Sequence, residues 1–191
     1  MSRNQVRIIG GAWRSRIIRF PPKKQLRPTP DRVRETVFNW LGQDLTGRSC
    51  LDLFAGSGAF GFEAASRGAR RVVMVEADRE CCRALAANRS ELAAASVELK
   101  CVDALEFLRS GKERYDVIFL DPPFRAGYWP RLASLLPRCM VPGALVYLES
   151  ASEPEVPAGW EVLKQDRAGQ VRFQLLKRTE HEQQGGVPGD V

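Results

Sequence analysis

A chain of 191 residues is long enough for one domain with a sizeable core, and a composition 44% hydrophobic and 27% charged argues against a disordered chain. No apolar run approaches the roughly 20 residues of a membrane span, and the basic N-terminus lacks the apolar stretch of a secretory signal. The expected location is cytoplasmic, with no membrane partner. The net charge of +6 is unevenly placed: residues 1–34 carry ten Lys and Arg against one acid, Asp31, leaving +9 there and −3 in the remainder. A basic arm on a mildly acidic body points to a polyanion, most simply a nucleic acid.

In chain order, Val6, Ile8, Ile9, Trp13, Ile17, Ile18 and Phe20 interleave with the basic residues. Residues 6–9 and 16–19 are therefore expected to form a hairpin turned near Gly10-Gly11. Pro21 to Pro30 reads as a loop. Thr29 can cap a helix that has Pro30 at its first position and runs to about Gln43, with Val33, Val37 and Leu41 on one face. From Ser49 strands and helices alternate. Strands are expected at 49–54, 71–76, 97–102, 115–120 and 143–149, and helices at 58–67, 79–94, 103–110 and 128–138. Such alternation predicts an α/β fold with a parallel sheet covered on both faces. Residues 160–165 and 171–177 read as an antiparallel hairpin at the sheet edge. The tail, 179–191, is polar and without periodicity, and is expected to be disordered. The five cysteines have no metal or disulfide spacing, and the single histidine, His181, lies in that tail, so no metal site is expected.

Two stretches carry chemistry. Asp52-Leu53-Phe54-Ala55-Gly56-Ser57-Gly58 ends the first core strand and opens a helix, and Gly61 completes a GxGxxG spacing. That spacing alone also fits a dinucleotide. A carboxylate at Asp52, however, would repel a pyrophosphate and favour a cationic ligand such as S-adenosylmethionine. Glu76 ends the next strand and can accept both ribose hydroxyls, with Ala77 and Asp78 following. Asp103 and Ala104 open the helix after the third strand, where Asp103 suits an adenine amine or a helix cap equally. The second stretch is Asp121-Pro122-Pro123-Phe124, at the C-terminal end of a buried strand, where ligands bind in open α/β sheets. Two prolines remove backbone donors and leave acceptors: the Asp121 carboxylate and the Pro122 carbonyl. Phe124 offers a stacking platform, or packs on the core.

The glycine turn, Glu76, Asp103 and the DPPF tetrapeptide resemble Rossmann-like amino-methyltransferases that use S-adenosylmethionine. Arg7-Ile8-Ile9-Gly10-Gly11 and Arg27-Pro28-Thr29-Pro30-Asp31-Arg32-Val33-Arg34-Glu35-Thr36-Val37-Phe38-Asn39-Trp40-Leu41 resemble the bacterial 16S rRNA guanine-N2 methyltransferases of the RsmD type. The resemblance spans about residues 6–177. It implies a doubly wound seven-stranded sheet with a small N-terminal hairpin, and methylation of guanine 966 in small-subunit rRNA, within the 30S particle. It implies a basic arm at 1–26, a methyltransferase domain at 27–178, and cofactor contacts from Arg27, Thr29 and Arg32. A monomer is expected.

Asp121 and Pro122 would each accept one N–H of the target amine, leaving its lone pair aimed at the methyl donor. Arg7, Arg14, Arg16, Arg19, Lys23 and Lys24 would grip phosphates, with Trp13 stacking or packing. A glutamine-N5 protein methyltransferase explains the site but leaves the arm without a role. An adenine-N6 nucleic-acid methyltransferase explains both, but the chain has no separate target-recognition domain.

Overall fold

A computed structural model describes residues 4–23, 26, 28–122, 128–151 and 156–179. Lys24, Arg27, Phe124 and the tail from residue 180 lie outside the described residues. The elements run β1 (Gln5–Arg7), β2 (Ile17–Arg19), α1 (Asp31–Trp40), β3 (Ser49–Asp52), α2 (Ala59–Ser66), β4 (Arg71–Glu76), α3 (Arg79–Glu91), β5 (Val97–Cys101), α4 (Ala104–Ser110), β6 (Tyr115–Leu120), α5 (Tyr128–Leu135), a 3-10 turn (Leu136–Cys139), β7 (Met140–Ser150), β8 (Trp160–Ala168) and β9 (Val171–Arg178).

The seven-stranded sheet has the order β5-β4-β3-β6-β7-β9-β8. Its first five strands are parallel, and β9 and β8 add on antiparallel at one edge. Apolar residues on both faces of β3, β4, β6 and β7 explain why the sheet is covered on both sides, whereas the edge strand β5 alternates Glu98 and Lys100 with Val97 and Leu99. In β4, Val72 and Met74 enter the core shared with α1, α2 and α3, while Val73 and Val75 enter the core shared with α4 and α5. The strand's period of two divides one apolar run between two cores. The chain reverses strand order between β3 and β6, and all five parallel strands end on the same side, where the acids stand.

The N-terminal hairpin pairs Gln5 with Arg19 and Arg7 with Ile17. It is docked rather than free. Val6, Ile8, Ile18 and Phe20 are buried in the same core as α1 and α2. Asn88 on α3 accepts from Arg19 N at 3.0 Å and donates to Arg19 O at 2.7 Å, completing the edge of β2. Gly11, at φ +74°, lies so close to α2 that a Cβ there would stand 1.9 Å from the Ser66 carbonyl oxygen.

Two expectations about α1 need correction. Thr29 does not cap it: Pro30 is the residue before the helix and no side chain caps that end. The Thr29 hydroxyl instead donates to Glu149 Oε2, 3.1 Å away on β7. The helix also stops at Trp40, not Gln43. Gly42 at φ +92° donates to Asn39 O, and Gln43 N donates to Phe38 O at 2.8 Å, a left-handed C-terminal cap. Similarly, the helix expected over 128–138 ends at Leu135 and tightens into the 3-10 turn around Pro137, which has no N–H to donate.

Candidate active site

The strand ends gather the acids. Asp52 ends β3, and its Oδ2 accepts the Gly61 N–H at 2.9 Å, deep under the glycine turn. Gly61 itself is a packing glycine, since a Cβ there would come within 2.8 Å of the Met74 side chain. Gly56 (φ +49°) and Gly58 (φ +82°) adopt the left-handed conformations that glycine favours. Phe54 is half-buried edge-on to Tyr128 with ring centres 5.7 Å apart, and Ala55, Ser57 and Gly58 are buried.

Glu76 ends β4 and braces the turn. Its Oε2 accepts the Gly56 N–H and its Oε1 the Asp78 N–H, both at 2.8 Å. Ala77, exposed, lies between. Asp78 caps α3 through Glu80 N and Cys81 N, and it is ion-paired with Lys23, which also reaches Glu80 at 3.3 Å. Lys23 beside Asp78 lowers the Asp78 carboxyl to about 2. Asp103 caps α4 through Leu105 N and Glu106 N, ahead of buried Ala104.

Asp121 follows β6 directly, half-buried, with Pro122 buried behind it. Burial raises its carboxyl well above the usual range, and the charges of Glu149 and Asp52 add to the effect. Burial likewise raises Asp52 to about 7, with Glu76 contributing and the Gly61 N–H opposing. Glu149, at the end of β7, is a further acid absent from the expected set. It is buried, and its Oε2 accepts the Tyr147 hydroxyl at 2.9 Å and the Thr29 hydroxyl at 3.1 Å. Its sequence signal was available: an acid closing the apolar run Ala144-Leu145-Val146-Tyr147-Leu148, as Asp121 closes the run before it.

The chemistry of this donor set fits a cationic ligand. Asp52, Asp121 and Glu149 converge on one side of the sheet, where anionic phosphates would meet repulsion. Leu26 lies over the turn: its Cδ1 is 2.8 Å from where a Cβ of residue 56 would be. Arg32 is exposed on the first turn of α1, whereas Thr29 faces inward onto Glu149.

The basic residues follow α3. Lys23 meets its N-terminal end through Asp78, and Arg19 and Arg16 meet its C-terminal end at Glu91, by an ion pair of 3.7 Å and a carbonyl contact of 3.4 Å. Arg7 and Arg14 are exposed, and Trp13 packs partly buried against the core beside α2. Arg34, by contrast, is fully buried. It donates to Arg7 O (2.8 Å), Thr29 O (3.3 Å), Asp31 (2.6 Å) and Glu63 (3.3 Å), joining hairpin, loop and two helices.

The family model described as conserved hypothetical protein 95 matches residues 6–177. Ribosomal RNA small subunit methyltransferase D of Escherichia coli K12 is 42% identical over 179 residues, covering 91% of this chain and 90% of that one. Its namesake from Haemophilus influenzae is 38% identical over 184 residues, covering 92% and 95%. The solved structure of the Escherichia coli methyltransferase yhhF is similar with a TM-score of 0.82 at 42% identity, covering 93% of this chain and 99% of that chain. The strand order, the acids at the strand ends and the match from hairpin to last strand agree: this chain belongs to the conserved hypothetical protein 95 family, that of the small-subunit ribosomal RNA methyltransferases of type D.

Proposed function

We propose that this protein transfers a methyl group from S-adenosylmethionine to the exocyclic N2 amine of a guanine in 16S rRNA, nucleotide 966 by its resemblance to the RsmD-type enzymes. The observation that carries the reading is the placement of Asp121 and buried Pro122 at the β6 end, among acids of three neighbouring strands and beside a glycine turn. When bound, S-adenosylmethionine supplies a methyl on a sulfonium, which leaves with the S–C electron pair as the N–C bond forms.

The chain's own residues have five tasks. Glu76 holds the turn in shape through Gly56 and offers its remaining lone pairs to ribose hydroxyls. Asp52 provides negative potential under the turn. Asp121 and the Pro122 carbonyl accept the two N–H groups of the amine, so that its lone pair points outward along the line of transfer. Asp121 then takes up the proton that the methylated nitrogen releases, and its raised proton affinity suits it to that task better than an ordinary carboxylate. Phe124 stacks on the base. The target guanine must be unpaired or flipped, because its amine is otherwise shielded.

The basic track along α3 supports RNA as the polymer. From Asp78 to Glu91 the helix spans about 20 Å at 1.5 Å per residue. Lys23 stands at one end, Arg16 and Arg19 at the other, and the acids lie beyond the Lys23 end. Such a track suits a single strand led toward the strand ends.

The test incubates labelled S-adenosylmethionine with 30S subunits and with naked rRNA from cells lacking the enzyme, and maps the modified nucleotide. Methyl on guanine N2, formed about ten- to a hundredfold more slowly by Asp121→Ala, is expected. Equal labelling by Asp121→Ala, or methyl on a protein glutamine or an adenine, would overturn the proposal.

A further inference from the structure

We propose that Glu149 is a positioning residue for methyl transfer: its carboxylate latches Thr29, and through it Leu26 against the glycine turn, to the β7 end beside Asp121. This rests on the cofactor reading above. Four placements carry it. Leu148 is in register with Leu120, so Glu149 flanks Asp121 across the β6–β7 seam. The Glu149 side chain is buried, and one oxygen receives both the Thr29 and the Tyr147 hydroxyls. Thr29 belongs to the segment between β2 and α1, is itself buried, and is held from its other side by Arg34 Nε on its carbonyl. Three residues earlier, Leu26 lies against Gly56. The segment is thus pinned at Thr29 and touches the cofactor turn at Leu26.

A buried carboxylate is a costly way to accept two hydroxyls, because a neutral amide oxygen would do so with a smaller desolvation penalty. Its charge serves the site instead. Asp121 faces it from β6, Asp52 stands beyond on β3, and Tyr147 lies on its own strand. On β9, Phe173 lies opposite Glu149, and Arg172 lies opposite Ser150. The latch therefore joins two functions in one group. It holds Thr29, and through it Leu26 against the turn, and deepens the negative potential around Asp121.

Calorimetric binding of S-adenosylmethionine and of S-adenosylhomocysteine to the full chain separates these roles. Thr29→Val removes one hydroxyl and should weaken both ligands about tenfold, the loss expected for a bond to a charged acceptor. Glu149→Ala should weaken both at least as much, and the double variant no more than the worse single one. Glu149→Gln keeps an accepting oxygen, so it should hold S-adenosylhomocysteine within about threefold of the unaltered protein while losing affinity for the sulfonium ligand. Unchanged binding of both ligands by folded Thr29→Val would overturn the latch, as would additive losses in the double variant. Should Glu149→Ala fail to fold, Thr29→Val and Glu149→Gln decide the matter. If the unaltered protein bound neither ligand, the cofactor reading itself would fall, and the latch with it.

Discussion

Asp52 shows what burial does to a single side chain at this site. Its carboxyl lies under the glycine turn and is raised from an ordinary 3.8 to about 7. Between those values the folded protein binds more protons than the unfolded chain, so this group's contribution to stability falls as pH rises. Asp121 and Glu149 are raised as well and act in the same direction. The ligand-free melting temperature should therefore decline from about pH 5 to about pH 7.5, and Asp52→Asn should flatten the slope while still accepting from Gly61. Affinity for a sulfonium ligand should move the opposite way, increasing as these acids ionise. For Asp121, replacement by Ala should lower kcat by about ten- to a hundredfold, the range for one lost charge-assisted bond. KM for S-adenosylmethionine should change less.

Between elements, the most consequential contact is Arg34 with Glu63, both fully buried. Glu63 also accepts from Arg67 at 2.8 Å and from Ile9 N at 2.8 Å. One carboxylate thus ties α1, α2 and the hairpin. Removing one partner of a buried ion pair typically costs about 3–5 kcal/mol; Glu63 would keep Arg67, but Arg7 O and Thr29 O would lose their Arg34 donor. Arg34→Met should show a loss of that order in urea unfolding, and Arg34→Met with Glu63→Gln should recover part of it. Gly11→Ala tests the same junction sterically. Both the positive φ and the 1.9 Å approach to Ser66 forbid a Cβ, so the hairpin should lift from α2 and protease should cut it first. Arg34 lies within the segment that carries the family resemblance, yet its spacing reads only as a helix residue. Its partners are 3 to 29 positions away in the chain, and periodicity carries no record of them.

Across the whole molecule, the proposed function has the basic hairpin lead a polyanion toward the acidic strand ends. Arg14, Arg16 and Arg19 are exposed on the hairpin. Replacing all three with Gln should weaken rRNA binding and leave S-adenosylmethionine affinity unchanged. It should also reduce the slope of log K against log salt by about two, at about 0.7 per phosphate contact on a single strand. An unchanged slope would show that these residues do not meet phosphates. Lys23 pairs with Asp78 and Glu80 at the other end of α3, so its loss should loosen the start of that helix as well.

The strands and most helices were legible in the residues, since apolar runs, turn glycines and capping acids act over a few positions. So was the row of acids Asp52, Glu76, Asp103 and Asp121, because each closes or follows a strand, apolar for all but the alternating strand before Asp103. What required the folded chain was which of these acids are buried together. Asp78 and Asp103 spend an oxygen on capping their own helices, whereas Asp52 and Asp121 are drawn together with Glu149 on three adjacent strands. Strand order is set by packing over long sequence separations, and so is the Thr29–Glu149 bond, which spans 120 positions. Local pattern names residue types at strand ends. Only the sheet decides which charges share one desolvated space, and hence which protons they hold.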